Sequence, residues 1–170
     1  MSPPAGHARV EDGVMRVLVA DFDYRPLLAV DDDVLHLDWD TAVSLEDLLT
    51  FAKVARMFPA QPLVAPMLEY PGGLHGTTRR ALTRPTWNIR RYEGANMRDC
   101  TLGEQSCHLF GFGMVYLPLK LLAEHVASLE PGVPVTDIGF SGWYAANGGE
   151  CDVCWDVRPV HLNYPAPHVL

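Results

Sequence analysis

Short apolar segments rich in β-branched residues alternate along this chain with segments of helical periodicity. Residues 14–20, "VMRVLVA", predict a buried strand, and residues 27–30 predict a second short strand. Residues 44–57, "SLEDLLTFAKVARM", predict a helix that opens with a capping box formed by Ser44 and Asp47. Because strands and helices are interspersed, the sequence favours the α/β class.

The second half of the chain continues this pattern after a long polar stretch. Residues 62–70, 108–118 and 151–162 predict strands, and residues 119–129 predict a helix. Residues 71–106 predict a long Arg-rich loop, and a loop of that length in a compact domain is often functional. We expect residues 1–13 to form a flexible tail and residues 14–170 to form one domain.

Charge and hydropathy exclude or disfavour several classes of protein. The net charge is −8 and the basic residues form no run, which disfavours nucleic-acid binding. The sequence still allows a local basic patch formed by Arg79, Arg80, Arg84, Arg90 and Arg91. The sequence has no apolar run near the roughly 18 residues that cross a bilayer and no signal-peptide core at its start, so it predicts a cytoplasmic protein that does not enter membranes.

Three consecutive carboxylates follow the predicted strand at residues 27–30. Asp31 and Asp33 share one side if extended geometry continues through them, because side chains alternate along a strand. Two carboxylates at the carboxyl end of a strand can bind Mg²⁺ or Mn²⁺ and neutralise a diphosphate leaving group. A solvated acidic turn is the alternative.

The order of motifs resembles that of nucleotide-sugar glycosyltransferases of the GT-A fold, closest to short family-2-like proteins of actinobacteria and their phages. The segments that carry the resemblance are "HLFGFGMVYLPLKLL", "TDIGFSGW" and "DVCWDVRPVHLNY", together with the Asp-x-Asp at residues 31–33. It covers roughly residues 17–164. The implied fold is a Rossmann-like mixed sheet flanked by helices, and the implied activity is metal-dependent sugar transfer from a nucleotide-diphosphate donor to an unknown acceptor hydroxyl.

The resemblance also implies roles for individual residues. The implied assignments are Asp137 as catalytic base, Asp31, Asp33 and His161 as Mn²⁺ or Mg²⁺ ligands, and Asp31, Asp32 and Arg25 at the donor. Trp87 and Trp143 are candidate platforms for the sugar or acceptor, because a pyranose presents an apolar face. Each has a structural alternative. His161 alone is more often a hydrogen-bonded structural residue, Asp137 could cap a turn, and either Trp could be ordinary packing.

Three other interpretations compete with glycosyl transfer. Cys100, Cys107, Cys151 and Cys154 could form a zinc site, although the first gap is wide and the second pair lies on opposite faces of a strand. Asp21 and Asp23 could belong to a haloacid-dehalogenase-like phosphatase, although Tyr24 and Arg25 depart from that pattern.

The third alternative is a non-catalytic GT-A-like binding protein. Only about 30 residues precede the Asp-x-Asp, so the part that would hold the nucleotide base is expected to be reduced. A shortened sheet would also expose an edge strand. We therefore expect a homodimer or a protein partner that completes the site.

Overall fold

The computed structural model of the protein describes residues 7–9, 16–18, 24–29, 33–38, 41–69 and 85–161. Within these ranges the helices are α1 (Leu45–Met57), α2 (Leu119–Ser128), α3 (Asp137–Ala146) and a 3-10 helix (Arg25–Ala29). The strands are β1 (His7–Arg9), β2 (Arg16–Leu18), β3 (Val34–Leu37), β4 (Thr41–Ala42), β5 (Leu63–Val64), β6 (Leu68–Glu69), β7 (Thr86–Trp87), β8 (Ile89–Glu93), β9 (Asn96–Asp99), β10 (Ser106–Cys107), β11 (Leu109–Phe110), β12 (Met114–Leu117), β13 (Cys151–Val153) and β14 (Val160–His161).

The largest sheet in the described ranges is mixed and has five strands. Its order is β10-β13-β5-β12-β3. Strands β13 and β5 are parallel, and the other neighbouring pairs are antiparallel. The predicted α/β class is therefore confirmed at the level of a mixed sheet with helices.

Helices cover both faces of this sheet because side chains alternate along its strands. On one face, Leu35, Leu63 and Met114 pack against Phe51 and Ala55 of α1. On the opposite face, the apolar side chains of the same three strands join a cluster with α2 and α3. That cluster includes Val34, Val64, Val115, Leu117, Leu122 and Phe140. The described core thus has three layers.

The predictions for α1 and α2 are confirmed. Ser44 is the N-cap of α1, and its hydroxyl accepts a hydrogen bond from the backbone N–H of Asp47 at 3.0 Å. Helix α2 follows Pro118 directly, where the missing N–H of proline costs the helix nothing. Helix α3 lies in a stretch for which the sequence pattern gave no element.

The predicted strand at residues 27–30 is wrong. Residues 25–29 form the 3-10 helix, in which the backbone N–H of Leu27 donates to the Tyr24 carbonyl at 3.0 Å. Pro26 favours this because its ring fixes a helical φ, and the buried Leu27 packs in the α2 and α3 layer. The strand beside the three carboxylates is β3, which follows them.

The predicted Arg-rich loop is wrong for residues 86–99, where β7, β8 and β9 form; residues 71–84 lie outside the described ranges. Strands β8 and β9 form a hairpin that turns at Gly94, whose φ of 61° suits glycine. Arginines fit this hairpin because acids neutralise them. Arg90 lies 3.4 Å from Asp99, and Arg98 contacts Glu93 and Glu104. Of the basic patch considered above, Arg79, Arg80 and Arg84 lie outside the described ranges.

The three other predicted strands are each divided. Residues 62–70 contain β5 and β6, residues 108–118 contain β11 and β12, and residues 151–162 contain β13 and β14. Glycines 111 and 113 flank the break between β11 and β12. Of the predicted strand at residues 14–20, the described part is β2. The described helices include none that is long and apolar enough to cross a membrane.

Candidate functional site

Asp38 lies directly at the carboxyl end of the edge strand β3. That strand pairs along its whole length with β12, and the backbone N–H of Asp38 extends the pairing by donating to the Gly113 carbonyl at 2.9 Å. The Asp38 side chain is 28% exposed. Open α/β sheets bind their ligands beyond the carboxyl ends of their strands, so a partly exposed carboxylate at this position can contact a ligand.

A buried histidine orients the Asp38 carboxylate. His36 Nε2 lies 2.7 Å from Asp38 Oδ1, and because a carboxylate only accepts, Nε2 is the donor. The His36 ring packs edge-on against Tyr24, with ring centroids 5.0 Å apart. Its Nδ1 is buried and has no hydrogen-bond partner among the described residues. His36 therefore fixes one carboxylate oxygen and leaves Oδ2 of Asp38 without a described hydrogen bond.

Asp137 is the first residue of α3. Thr136 caps this helix by accepting the backbone N–H of Gly139 at 3.0 Å, and Asp137 Oδ1 accepts the N–H of Ile138 at 2.7 Å. Burial, and then the negative charge of Asp38, raise the pKa of the Asp137 carboxyl above its usual value. These two acids come from segments about 100 residues apart in sequence and interact electrostatically.

The backbone around Gly111 separates Asp137 from Asn88. A Cβ atom added at Gly111 would lie 3.4 Å from Asp137 Oδ2 and 3.5 Å from Asn88 Nδ2. A Cβ atom at Gly113 would overlap the side chain of Met67. Main chain therefore forms this wall of the site, as is common where a glycine in a strand lets another group approach the backbone closely.

His161 lies at the same end of β3 as Asp38. Strand β14 pairs with β4 so that His161 is opposite Thr41, and the Thr41 N–H donates to the Asp38 carbonyl at 3.0 Å. The sequence proposed His161 as a metal ligand, and the structure brings its backbone opposite Thr41, which is hydrogen-bonded to Asp38.

Asp33 lies at the opposite end of β3, about 16 Å from Asp38 for five extended residues. Its two oxygens accept hydrogen bonds from the Tyr116 hydroxyl at 2.8 Å and the Leu119 N–H at 2.9 Å. Asp33 thus anchors the start of α2 and does not meet His161. Asp31 and Asp32 lie outside the described ranges, as do Asp21 and Asp23 of the phosphatase interpretation.

The remaining candidate side chains have visible structural contacts. Trp143 packs between α2 and α3, with its ring centroid 5.1 Å from that of His125. Six residues along a helix separate it from Asp137 by roughly 9 Å. Trp87 packs edge-on against Trp155 at 5.1 Å, and the Arg158 guanidinium lies 6.0 Å from both indoles. Arg25 is exposed at the start of the 3-10 helix.

The four cysteines are all buried thiols, but they do not form one group: Cys100, Cys107 and Cys151 belong to one core cluster and Cys154 to the other. Cys107 and Cys151 are opposite each other in the sheet, whereas Cys154 lies in the core on the other face with α1. Burial raises the pKa of the Cys100 thiol to about 12, which disfavours the thiolate that zinc requires. Among the described residues no group of three or more His, Cys, Asp or Glu side chains could hold a metal ion.

Sequence reasoning missed Asp38 and His36. The available signal was "VLHLDWD", residues 34–40, in which an alternating apolar segment ends in a second Asp-x-Asp, Asp38 and Asp40. Asp40 lies outside the described ranges.

Comparison with known proteins gives no assignment. Neither a family model nor a curated protein sequence matches this chain.

Proposed function

We propose that this protein is a metal-dependent glycosyltransferase of the GT-A type, which transfers a sugar from a nucleotide-diphosphate donor to an acceptor hydroxyl. The observation that carries the proposal is that Asp38, at the carboxyl end of β3, and Asp137, at the start of α3, both lie against the short segment from Gly111 to Gly113. Sugar transfer needs one acidic group near the leaving diphosphate and another near the attacking hydroxyl. The resemblance noted above also has a strand-end acid before the catalytic base, although it assigned that acid to Asp31 and Asp33 rather than to Asp38.

The donor atoms at Asp38 suit a hard divalent cation. Its Oδ2 has no described hydrogen bond, and carboxylate oxygen is a preferred ligand for Mg²⁺ and Mn²⁺. We infer that Asp38, with His161, would hold the ion, in place of the Asp31 and Asp33 pair chosen from the sequence. When bound, the ion would neutralise charge on the leaving diphosphate. The assignment of Asp31 and Asp33 as metal ligands stays a prediction. The two hydrogen bonds that Asp33 accepts give this residue a structural role at the start of α2.

Asp137 suits the role of catalytic base. A carboxylate whose pKa is raised by burial accepts a proton more readily than an ordinary aspartate once it is ionised. The N–H of Ile138 holds Oδ1, the backbone N–H of Phe112 also hydrogen-bonds to this carboxylate, and Oδ2 lies next to Gly111. In this proposal Oδ2 receives the proton of the acceptor hydroxyl.

A thermal-shift panel of nucleotide sugars, with Mn²⁺ or with chelator, tests the proposal. Saturation at 100 times the dissociation constant stabilises a protein by about 2.7 kcal/mol, which raises the midpoint of a domain this size by roughly 5 to 11 °C. We expect such a rise for at least one donor with Mn²⁺ and a smaller rise with chelator. No rise for any nucleotide sugar at millimolar concentration would contradict the proposal.

Incubation of the stabilising donor with Mn²⁺ separates the enzyme from the non-catalytic alternative. We expect slow release of nucleoside diphosphate through transfer to water or to an added acceptor. Donor binding without any release by the parent protein, across acceptor classes, would favour a GT-A-like binding protein.

A further inference from the structure

The outward side of α1 carries an unusual concentration of exposed apolar side chains. Four of the ten large apolar residues that are exposed in the described ranges lie on this helix or at its C-cap, namely Leu45 at 70%, Leu49 at 53%, Met57 at 65% and Phe58 at 48% exposure. We call these four residues, with Glu46, Lys53 and Arg56, the α1 face. Clustered exposed apolar groups mark interaction sites more often than scattered ones do.

The charges and apolar groups of the α1 face are self-complementary. Suppose that two copies of α1 cross antiparallel about a two-fold axis at the level of Phe51. Each residue that precedes Phe51 then lies opposite the residue of the second copy that follows Phe51 by the same number of positions. Glu46 then opposes Arg56 of the second copy, and Leu45 opposes Met57 of the second copy. Leu49 opposes the aliphatic part of Lys53.

The direction of the helix adds to this match. Glu46 and Asp47 lie in the first turn of α1 and Arg56 lies in the last turn. An antiparallel pair brings the positive end of each helix dipole beside the negative end of the other. A parallel pair would instead oppose like charges.

From these observations we propose that the α1 face is a two-fold interface between two copies of this chain. The contact is isologous, so each half supplies the same residues. A 13-residue helix is only about 20 Å long, so this face is smaller than the roughly 800 Å² per partner of a standard interface. The dimer is therefore weak and reversible. It does not depend on the proposed enzymatic function.

Sedimentation velocity of the full chain from about 10 to 500 µM is the test, since weak interfaces dissociate in this range. We expect a monomer–dimer equilibrium for the parent and for Leu102→Glu, a matched control at a leucine that is 66% exposed elsewhere. We expect Leu49→Glu to remain monomeric. Circular dichroism and the thermal midpoint establish that each variant is folded.

A charge-reversal cycle keeps the test valid if Leu49→Glu is unstable. Glu46→Arg and Arg56→Glu, taken singly, should each weaken association roughly 2- to 30-fold, because two surface pairs are lost per dimer. The double variant should return to within about threefold of the parent if the two residues oppose each other. A parent that stays monomeric to 500 µM, a folded Leu49→Glu that dimerises like the parent, or a double variant no better than the singles would overturn the proposal.

Discussion

Asp137 combines two features that rarely coincide in a surface aspartate. It begins a helix, where a carboxylate is stabilised by free N–H groups, yet it is half-buried and its pKa is raised in part by the charge of a second acid, Asp38. The local hydrogen bonds lower its pKa, but burial and the charge of Asp38 outweigh them.

Replacement of Asp137 by Asn should abolish most transfer while it leaves donor binding intact. Loss of a general base costs roughly two to four orders of magnitude in rate. Initial rates and donor titrations on the same preparation measure both effects. Asp156→Asn, at an exposed aspartate in a turn, is the control and should behave like the parent. Transfer by Asp137→Asn at the parent rate would assign Asp137 a structural role.

The raised pKa of Asp137 gives this prediction a pH dependence. A base must be ionised, so kcat/KM should rise with pH through the raised pKa of Asp137 and level off above it. The native state binds this proton more tightly than the unfolded chain does. The contribution of Asp137 to stability therefore falls as pH rises from its ordinary value through the raised one.

The His36 ring is expected to position Asp38 rather than to react. His36→Gln keeps a donor near the place of Nε2, whereas His36→Leu removes it. Loss of a residue that orients a metal ligand typically lowers metal affinity 10- to 100-fold. Calorimetric Mn²⁺ titration should give that loss for the Leu variant and a much smaller one for the Gln variant. Equal affinities in the two folded variants would exclude a positioning role.

At the residue scale, the sequence singled out Asp137 and His161, which stay predictions, and for the acids after an early strand it singled out Asp31 and Asp33 rather than Asp38. Both "LLAV" and "VLHL" are four-residue segments followed by aspartates, and propensity does not decide which becomes a strand. Tertiary pairing decides it, because β12 hydrogen-bonds to residues 34–37. The burial of His36 was also not predictable, because a polar residue in an alternating apolar segment is expected to face solvent.

At the element scale, the ends of the three α-helices position the candidate site and its surroundings. Ser44 caps α1, Thr136 caps α3, and Asp33 binds the first free N–H of α2 from a distant part of the chain. Each satisfies donors that a helix cannot satisfy internally. Ser44 lies six residues after Asp38, and Thr136 directly precedes Asp137. The two caps therefore help to fix the positions of these acids.

Ser44→Ala should lower the free energy of unfolding by about 1 kcal/mol, the usual cost of losing an N-cap side chain. Ser44→Asp should keep most of the stability because it restores an acceptor for the Asp47 N–H. Urea denaturation of the three proteins gives the comparison. An alanine variant as stable as the parent would mean that water replaces this bond without loss.

Elements with local signals were predictable and elements made by long-range pairing were not. The capping box and periodicity of residues 44–57 identify α1 without reference to the rest of the chain. The hairpin of β8 and β9 has no apolar alternation that would predict strands. Its arginines are tolerated because Glu93, Asp99 and Glu104 neutralise them, and only the folded structure brings these charges together. Strand propensities of single residues do not include such long-range ion pairs, so they did not predict this hairpin.

At the scale of the whole molecule, the three-layer arrangement brings distant segments to one end of the sheet. Asp38 follows β3, Gly111 to Gly113 precede β12, Asp137 begins α3, and His161 ends β14. The predicted mixed sheet with helices is confirmed, and the GT-A relationship is part of our proposal. Our proposal for the α1 face would give the predicted association a specific surface.

Calorimetric titration of nucleoside diphosphates, with Mn²⁺ and with chelator, tests the central claim most directly, namely that Asp38 marks the donor and metal site. The parent should bind at least one nucleotide more tightly with Mn²⁺. Asp38→Ala should lose this enhancement and remain folded, whereas Asp33→Asn should keep it even if α2 is less stable. Identical affinity with metal and with chelator, or an enhancement that survives Asp38→Ala and disappears in Asp33→Asn, would contradict the account.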